Sequence, residues 1–100
     1  MWHVVAFDLP SDVELRKDYR IFRKNLMAEG YQALQKSIYY RFFDSRDKID
    51  TAQQRVLAFS PSHGDVIMMS LSDDAFARII HLNDNTLSEM PKQPKPWKII

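Results

Sequence analysis

Pro10 divides the start of the chain into two segments with incompatible hydrophobic periods, and so dictates a strand followed directly by a helix. Before it, His3-Val4-Val5-Ala6-Phe7-Asp8-Leu9 is a β-branched and aromatic run, which predicts a buried strand. After it, Ser11-Asp12-Val13-Glu14 has the form of a capping box: the Ser11 hydroxyl accepts from the Glu14 amide, and Glu14 reaches back. Leu15, Tyr19, Phe22 and Leu26 then recur at three- and four-residue steps and make one apolar stripe. The helix is expected to reach about Glu29, where Gly30 offers the conformation that ends helices.

Tyr31 to Phe43, rich in Tyr, Phe and Ile, predicts a long second strand. Ser45 caps a second helix running to about Ala58, with Ile49, Ala52, Val56 and Phe59 inward. Pro61-Ser62-His63-Gly64 is a turn signal, and Asp65 to Ser72 is the third strand. Ser72 caps a short helix from Asp73 to His81 that is expected to bury Phe76, Ile79 and Ile80. Asn83 to Lys95 is polar, contains Pro91 and Pro94, and predicts a linker or extended arm. The arm ends in Trp97-Lys98-Ile99-Ile100, an apolar tip expected to join a sheet edge of its own chain or of a partner. The expected organisation is therefore one domain over residues 1–82 and an arm over 83–100. Strand–helix–strand, then helix–strand, with one more short strand late in the chain, is the ferredoxin-like split βαβ order. It is an α+β, βαββαβ sandwich with an antiparallel sheet and helices on one face.

A chain of 100 residues with an apolar share of 45% supports one core. A domain of this size leaves much surface exposed, and two copies placed sheet to sheet would cover the face that the helices leave bare. With no cysteine, disulfides, thiolate metal sites and cysteine nucleophiles are excluded. Asp8 ends the first apolar run early and no basic region precedes it, so no signal peptide or membrane span is expected, and a cytoplasmic location is. The net charge of +1 means that attraction to nucleic acid depends on where the cations lie.

At about 100° per residue, Arg16, Lys17, Arg20, Arg23 and Lys24 fall on one arc of roughly 120° beside the apolar stripe of the first helix. Such an arc suits a phosphate ladder and equally suits a solvated helix face. Nearby only Asp18 and Glu14 offer partners. The second strand mixes Lys36 and Arg41 with Tyr39, Tyr40, Phe42 and Phe43, a pattern that fits backbone contact or, for the aromatics, sheet packing. Asp8, a carboxylate at the end of an apolar strand, has three competing roles: capping the next helix, pairing with an arginine, or binding Mg²⁺. One carboxylate per chain is too few for a metal cage, although Mg²⁺ accepts one or two together with water and phosphate oxygens. His3, His63 and His81 lack metal-ligand spacing, and no Gly-x-Ser-x-Gly or phosphate-cradling glycine loop is present.

Four segments, in order, resemble a known family. They are Phe7-Asp8-Leu9-Pro10-Ser11-Asp12; Arg16 to Leu26, closing at Glu29-Gly30-Tyr31; Leu34-Gln35-Lys36-Ser37-Ile38-Tyr39; and Pro61 to Val66, leading to Phe76-Ala77-Arg78-Ile79-Ile80-His81-Leu82. The chain is similar to the CRISPR-associated endoribonucleases, the smaller of the two universal CRISPR adaptation proteins, in the branch found with type II systems. The resemblance implies a homodimer with Asp8 of each copy near the two-fold axis, as catalytic and metal residue for Mg²⁺ (or Mn²⁺). It implies cleavage of single-stranded RNA or double-stranded DNA, with first-helix arginines on flanking phosphates. It also implies a scaffold role: the dimer bridges a larger integrase partner, with Trp97, Ile99 and Ile100 as the docking strand. Many members carry Tyr before the aspartate where this chain has Phe7, so no phenol is available at that position. The fold is shared with toxin-type ribonucleases of the VapD kind, which stand as the alternative.

Overall fold

The computed structural model describes residues 1–9 and 16–94. Strand β1 (Trp2–Asp8) leads to helix α1 (Arg16–Ala28), and the capping box between them lies outside the described residues. Strands β2 (Gln32–Gln35) and β3 (Ile38–Phe42) follow, then helix α2 (Arg46–Phe59), strand β4 (Asp65–Leu71) and the short helix α3 (Asp73–Ala77). Two further strands, β5 (His81–Asn83) and β6 (Thr86–Ser88), form a hairpin of their own.

The main sheet has the order β2-β3-β1-β4, with every neighbouring pair antiparallel. This is the ferredoxin-like arrangement, and β1 lies inside it. Side-chain alternation along β1 assigns its residues to two layers. His3, Val5 and Phe7 point under the helices, where Val5 and Phe7 join Phe22, Leu26, Tyr31, Tyr39, Phe43, Ile49, Ala52 and Val56 in the main core. Trp2 and Val4 point the other way and pack with Phe76, the Trp2 and Phe76 rings stacking at 4.1 Å and 6°. The aromatics of the second strand segment divide likewise. Tyr39 and Phe43 enter the main core, and Tyr40 and Phe42 join the Trp2 cluster. Packing is thus their role.

Ser45 and Ser72 cap their helices as expected, accepting from the amides of Lys48 and Ala75. Gly30 ends α1 at φ +89°. Three expectations need correction. The segment Tyr31–Phe43 is not one strand but two, folded at Lys36-Ser37. It holds neither Gly nor Pro, so the turn left no mark in its apolar pattern, and the fourth sheet strand comes from this fold rather than from the chain end. The helix expected to His81 stops at Ala77, leaving Ile80 77% exposed rather than buried. Finally, the expected linker begins inside a hairpin: Asp84 and Asn85 take φ 51° and 66°, the paired positive values of a tight two-residue turn. The expected boundary between residues 82 and 83 therefore falls within β5.

Candidate nucleic-acid interface and the Asp8 strand end

Helix α1 buries Phe22 and Leu26 completely, and this fixes its rotation on the sheet. The five cations of the arc, Arg16, Lys17, Arg20, Arg23 and Lys24, are consequently all exposed. Among the described residues none of them forms an ion pair, while five other pairs do form. Asp18, half-buried in the first turn, neutralises none of them by direct contact. Among the described residues Arg23 alone in the arc has a side-chain partner: its Nε donates to the Tyr39 hydroxyl at 2.6 Å.

Lys36 is exposed in the turn between β2 and β3. That turn is tied to α1 because the Tyr19 hydroxyl donates to the Lys36 carbonyl at 2.8 Å. Lys36 therefore joins the α1 surface. Arg41 does not. It donates to the Glu29 carbonyl at the end of α1, its guanidinium lies 4.5 Å from the Phe43 ring centre, and it packs against Gly30. An arginine on the last carbonyls of a helix is a favourable cap, so Arg41 serves the C-terminus of α1 instead. Trp97, Ile99 and Ile100 lie outside the described residues.

Asp8 is exposed at the end of β1, on the sheet face opposite the helices. Of its three candidate roles, arginine pairing has no support, since no cation contacts it among the described residues. The capping role concerns residues outside that range. Directly across in register stands Asp65, the first residue of β4. Directly opposed side chains share a face with Cβ atoms about 5 Å apart, and like charges there repel unless a cation or solvent intervenes. Gly64, at φ +82°, holds this junction close: a Cβ there would lie 2.6 Å from the Asp8 carbonyl oxygen and 2.8 Å from Leu9 Cδ2.

In the sequence Gly64 reads only as a turn residue and Asp65 only as the start of a strand, neither as part of a site. Their signal was available, because a turn glycine followed by a strand antiparallel to β1 must bring the first residue of that strand to the end of β1. Phe7 lies on the other face, 5% exposed, with its ring among Tyr19, Phe22 and Tyr39. A phenol at this position would point under α1 and away from the Asp8 carboxylate.

The donor chemistry at this strand end fits Mg²⁺ in kind: hard carboxylate oxygens, solvent access, and like charges in need of a cation. Among the described residues no group of three or more His, Asp or Glu side chains gathers in one chain. Among the described residues a single copy thus supplies Asp8 and Asp65, and water with phosphate oxygens would complete the shell.

Comparison with known proteins places this geometry. The family model described as "CRISPR associated protein Cas2" matches residues 1–79. The chain is 36% identical over 80 residues to a protein of Parvibaculum lavamentivorans named "CRISPR-associated endoribonuclease Cas2", covering 79% of each chain. A protein of the same name from Paracidovorax avenae is 35% identical over 100 residues, covering 99% of this chain and 93% of that one. In fold, the chain is similar to the crystal structure of Streptococcus pyogenes Cas2 at pH 6.5, with a TM-score of 0.63, 17% identity, and coverage of 83% of this chain and 100% of that one. With its order of strands, its basic first helix and its exposed strand-end aspartate, the chain belongs to the Cas2 family of CRISPR-associated proteins.

Proposed function

We propose that this protein acts in CRISPR adaptation as a symmetric dimer that grips the backbone of nucleic acid along α1 of each copy. The observation that carries this reading is the exposed α1 arc, whose five cations make no ion pair among the described residues. Cations held free of ion pairs are available to displace the condensed counterions of a duplex, which is the main source of backbone affinity. The match over residues 1–79 supports this reading over a toxin-type ribonuclease.

The exposed face of the sheet supports the dimer. The face opposite α1 and α2 presents Ile67 at 59% and Met69 at 40% exposure beside Ala6 and Ile38, an apolar strip that a second copy would cover. Asp8 and Asp65 lie at the end of the same face, so pairing of two such faces would bring carboxylates of both copies together. At that site Asp8, assisted by Asp65, would hold Mg²⁺ or Mn²⁺. The ion supplies Lewis-acid activation of water and charge neutralisation on phosphate for phosphodiester cleavage. The roles of the chain itself are simpler. Gly64 keeps the strand end closed, Asp8 and Asp65 provide the hard oxygens, and the α1 cations with Lys36 orient the flanking backbone. The residues beyond Met90 are assigned to docking the integrase partner of the adaptation complex, with duplex lying across the bridge.

A second reading, binding without cleavage, is favoured by the small ligand set that one chain offers at this strand end. Labelled single-stranded RNA and double-stranded DNA, incubated with Mg²⁺ or Mn²⁺, decide between them. Metal-dependent cleavage lost in Asp8→Asn establishes the nuclease. Salt-sensitive duplex binding by both proteins with no cleavage by either establishes the scaffold alone. Deleting residues 97–100 should abolish co-elution with the integrase and leave duplex affinity in place; retained co-elution would defeat the docking role.

A further inference from the structure

An arginine on a solvated helix face samples many rotamers, and gripping a phosphate costs it side-chain entropy. Arg23 departs from that picture. Its Nε donates to the Tyr39 hydroxyl at 2.6 Å. Tyr39 cannot move to follow it. It is 1% exposed, it stands opposite Val5 in the register of β1 and β3, and its ring stacks on Phe7 at 5.8 Å and 27°. With Nε committed to this anchor, the two terminal amino groups of Arg23 keep their hydrogens for an outside acceptor. A guanidinium fork presented in this way matches two oxygens of one phosphate.

The other four cations of the arc show no side-chain hydrogen bond or ion pair among the described residues, so each must be ordered when backbone arrives. The Tyr39 hydroxyl, in turn, has Arg23 as its partner, and the core does not need it. Removing it leaves the same ring buried in the same place. The tie of Tyr19 to the Lys36 carbonyl, one turn earlier on α1, fixes the neighbouring surface too.

We infer that Tyr39 is a positioning residue for backbone binding: its buried hydroxyl locks Arg23 as a pre-formed clamp for a single phosphate. This rests on the reading that α1 holds nucleic-acid backbone, and it identifies which of the five cations contributes most and why. Pre-organisation removes an ordering cost before binding, so the clamp should outweigh its mobile neighbours.

The test is a double-mutant cycle on the full chain with a fluorescein-labelled duplex of mixed sequence, titrated across a salt series. Tyr39→Phe should weaken binding roughly three- to tenfold, the loss expected when one ordinary hydrogen bond no longer holds the side chain in place. Its salt slope should stay that of the wild type, because Arg23 keeps its charge. Arg23→Ala should weaken binding further and reduce the slope by about one. In the Arg23→Ala background, Tyr39→Phe should cost nothing more. Arg23→Lys should bind more weakly than the wild type at an unchanged salt slope, having charge without the fork. Wild-type affinity in Tyr39→Phe, alongside a clear loss in Arg23→Ala, would overturn the inference and leave the α1 reading standing. Equal losses from Tyr39→Phe in both backgrounds would also overturn it. An Arg23→Ala protein with unchanged affinity and slope would overturn the clamp together with the α1 reading at this residue.

Discussion

His3 lies on the helix side of β1, fully buried, with Nδ1 2.6 Å from the Tyr31 hydroxyl and Nε2 without a hydrogen-bond partner among the described residues. Burial holds its imidazole below the usual histidine value. Burial likewise pushes the Tyr31 phenol up to about 12, with Arg41 opposing and Glu29 adding to the shift. The pair is therefore neutral in the folded state. In the unfolded chain His3 regains a pKa of about 6.5 and binds the extra proton, so unfolding free energy rises with pH through this region. Stability should be full above about pH 6.5 and fall as pH drops below it. Urea melts of the wild type and His3→Gln between acid and neutral pH measure this, and the variant should show the flatter dependence. At Gly64 the expectation is steric. Gly64→Ala places a methyl 2.6 Å from the Asp8 carbonyl oxygen at a positive φ. It should cost about 1–3 kcal/mol in thermal or urea unfolding, and a melt indistinguishable from wild type would show that the strand end can yield.

At the scale of elements, the helices are held by local chemistry that can be tested singly. Ser45 adopts an extended conformation at φ −151° and its hydroxyl accepts from the Lys48 amide at 3.3 Å. Ser45→Ala should lower stability by about 1 kcal/mol, a fall in melting temperature of roughly 4–8 °C for a domain this small. No change would mean that solvent serves the amide equally well. Helix α1 is different. It carries its cations on the outside because Phe22 and Leu26 fix the inside, and its surface is extended by Lys36 only because Tyr19 ties down a turn. Arg41 shows the converse: a cation in an aromatic strand was drawn to the nearest unsatisfied helix carbonyl.

For the whole molecule, the asymmetry of the sheet matters most. One face carries α1 and α2, while among the described residues the other is covered only at the Trp2 end, by Phe76, Ile79 and Met90. Ile67→Glu should place a charge in the middle of the proposed sheet-to-sheet contact without touching the main core. Sedimentation should then report a monomer that melts cooperatively, whereas a dimer at wild-type affinity would show that copies associate elsewhere. Among the described residues no helix is long and apolar enough to cross a membrane.

Local patterns alone determined much of this protein. The Tyr19–Leu26 stripe, the caps at Ser45 and Ser72, and Gly30 each act within a few residues, so α1, α2 and the strand at Asp65 could be read directly. The basic arc was equally plain, because helical periodicity converts spacing into a face. Tertiary structure decided what depends on distant partners. The turn at Lys36-Ser37 is set by pairing of β2 with β3 rather than by a turn residue. The shortness of α3 follows from a hairpin whose Asp84-Asn85 turn draws His81 into a strand. The placing of Asp65 across from Asp8, the burial of Phe7 on the opposite face, and the anchoring of Arg23 by Tyr39 are all consequences of strand order. Strand order is fixed by long-range packing of the two sheet faces, which no local window of sequence contains.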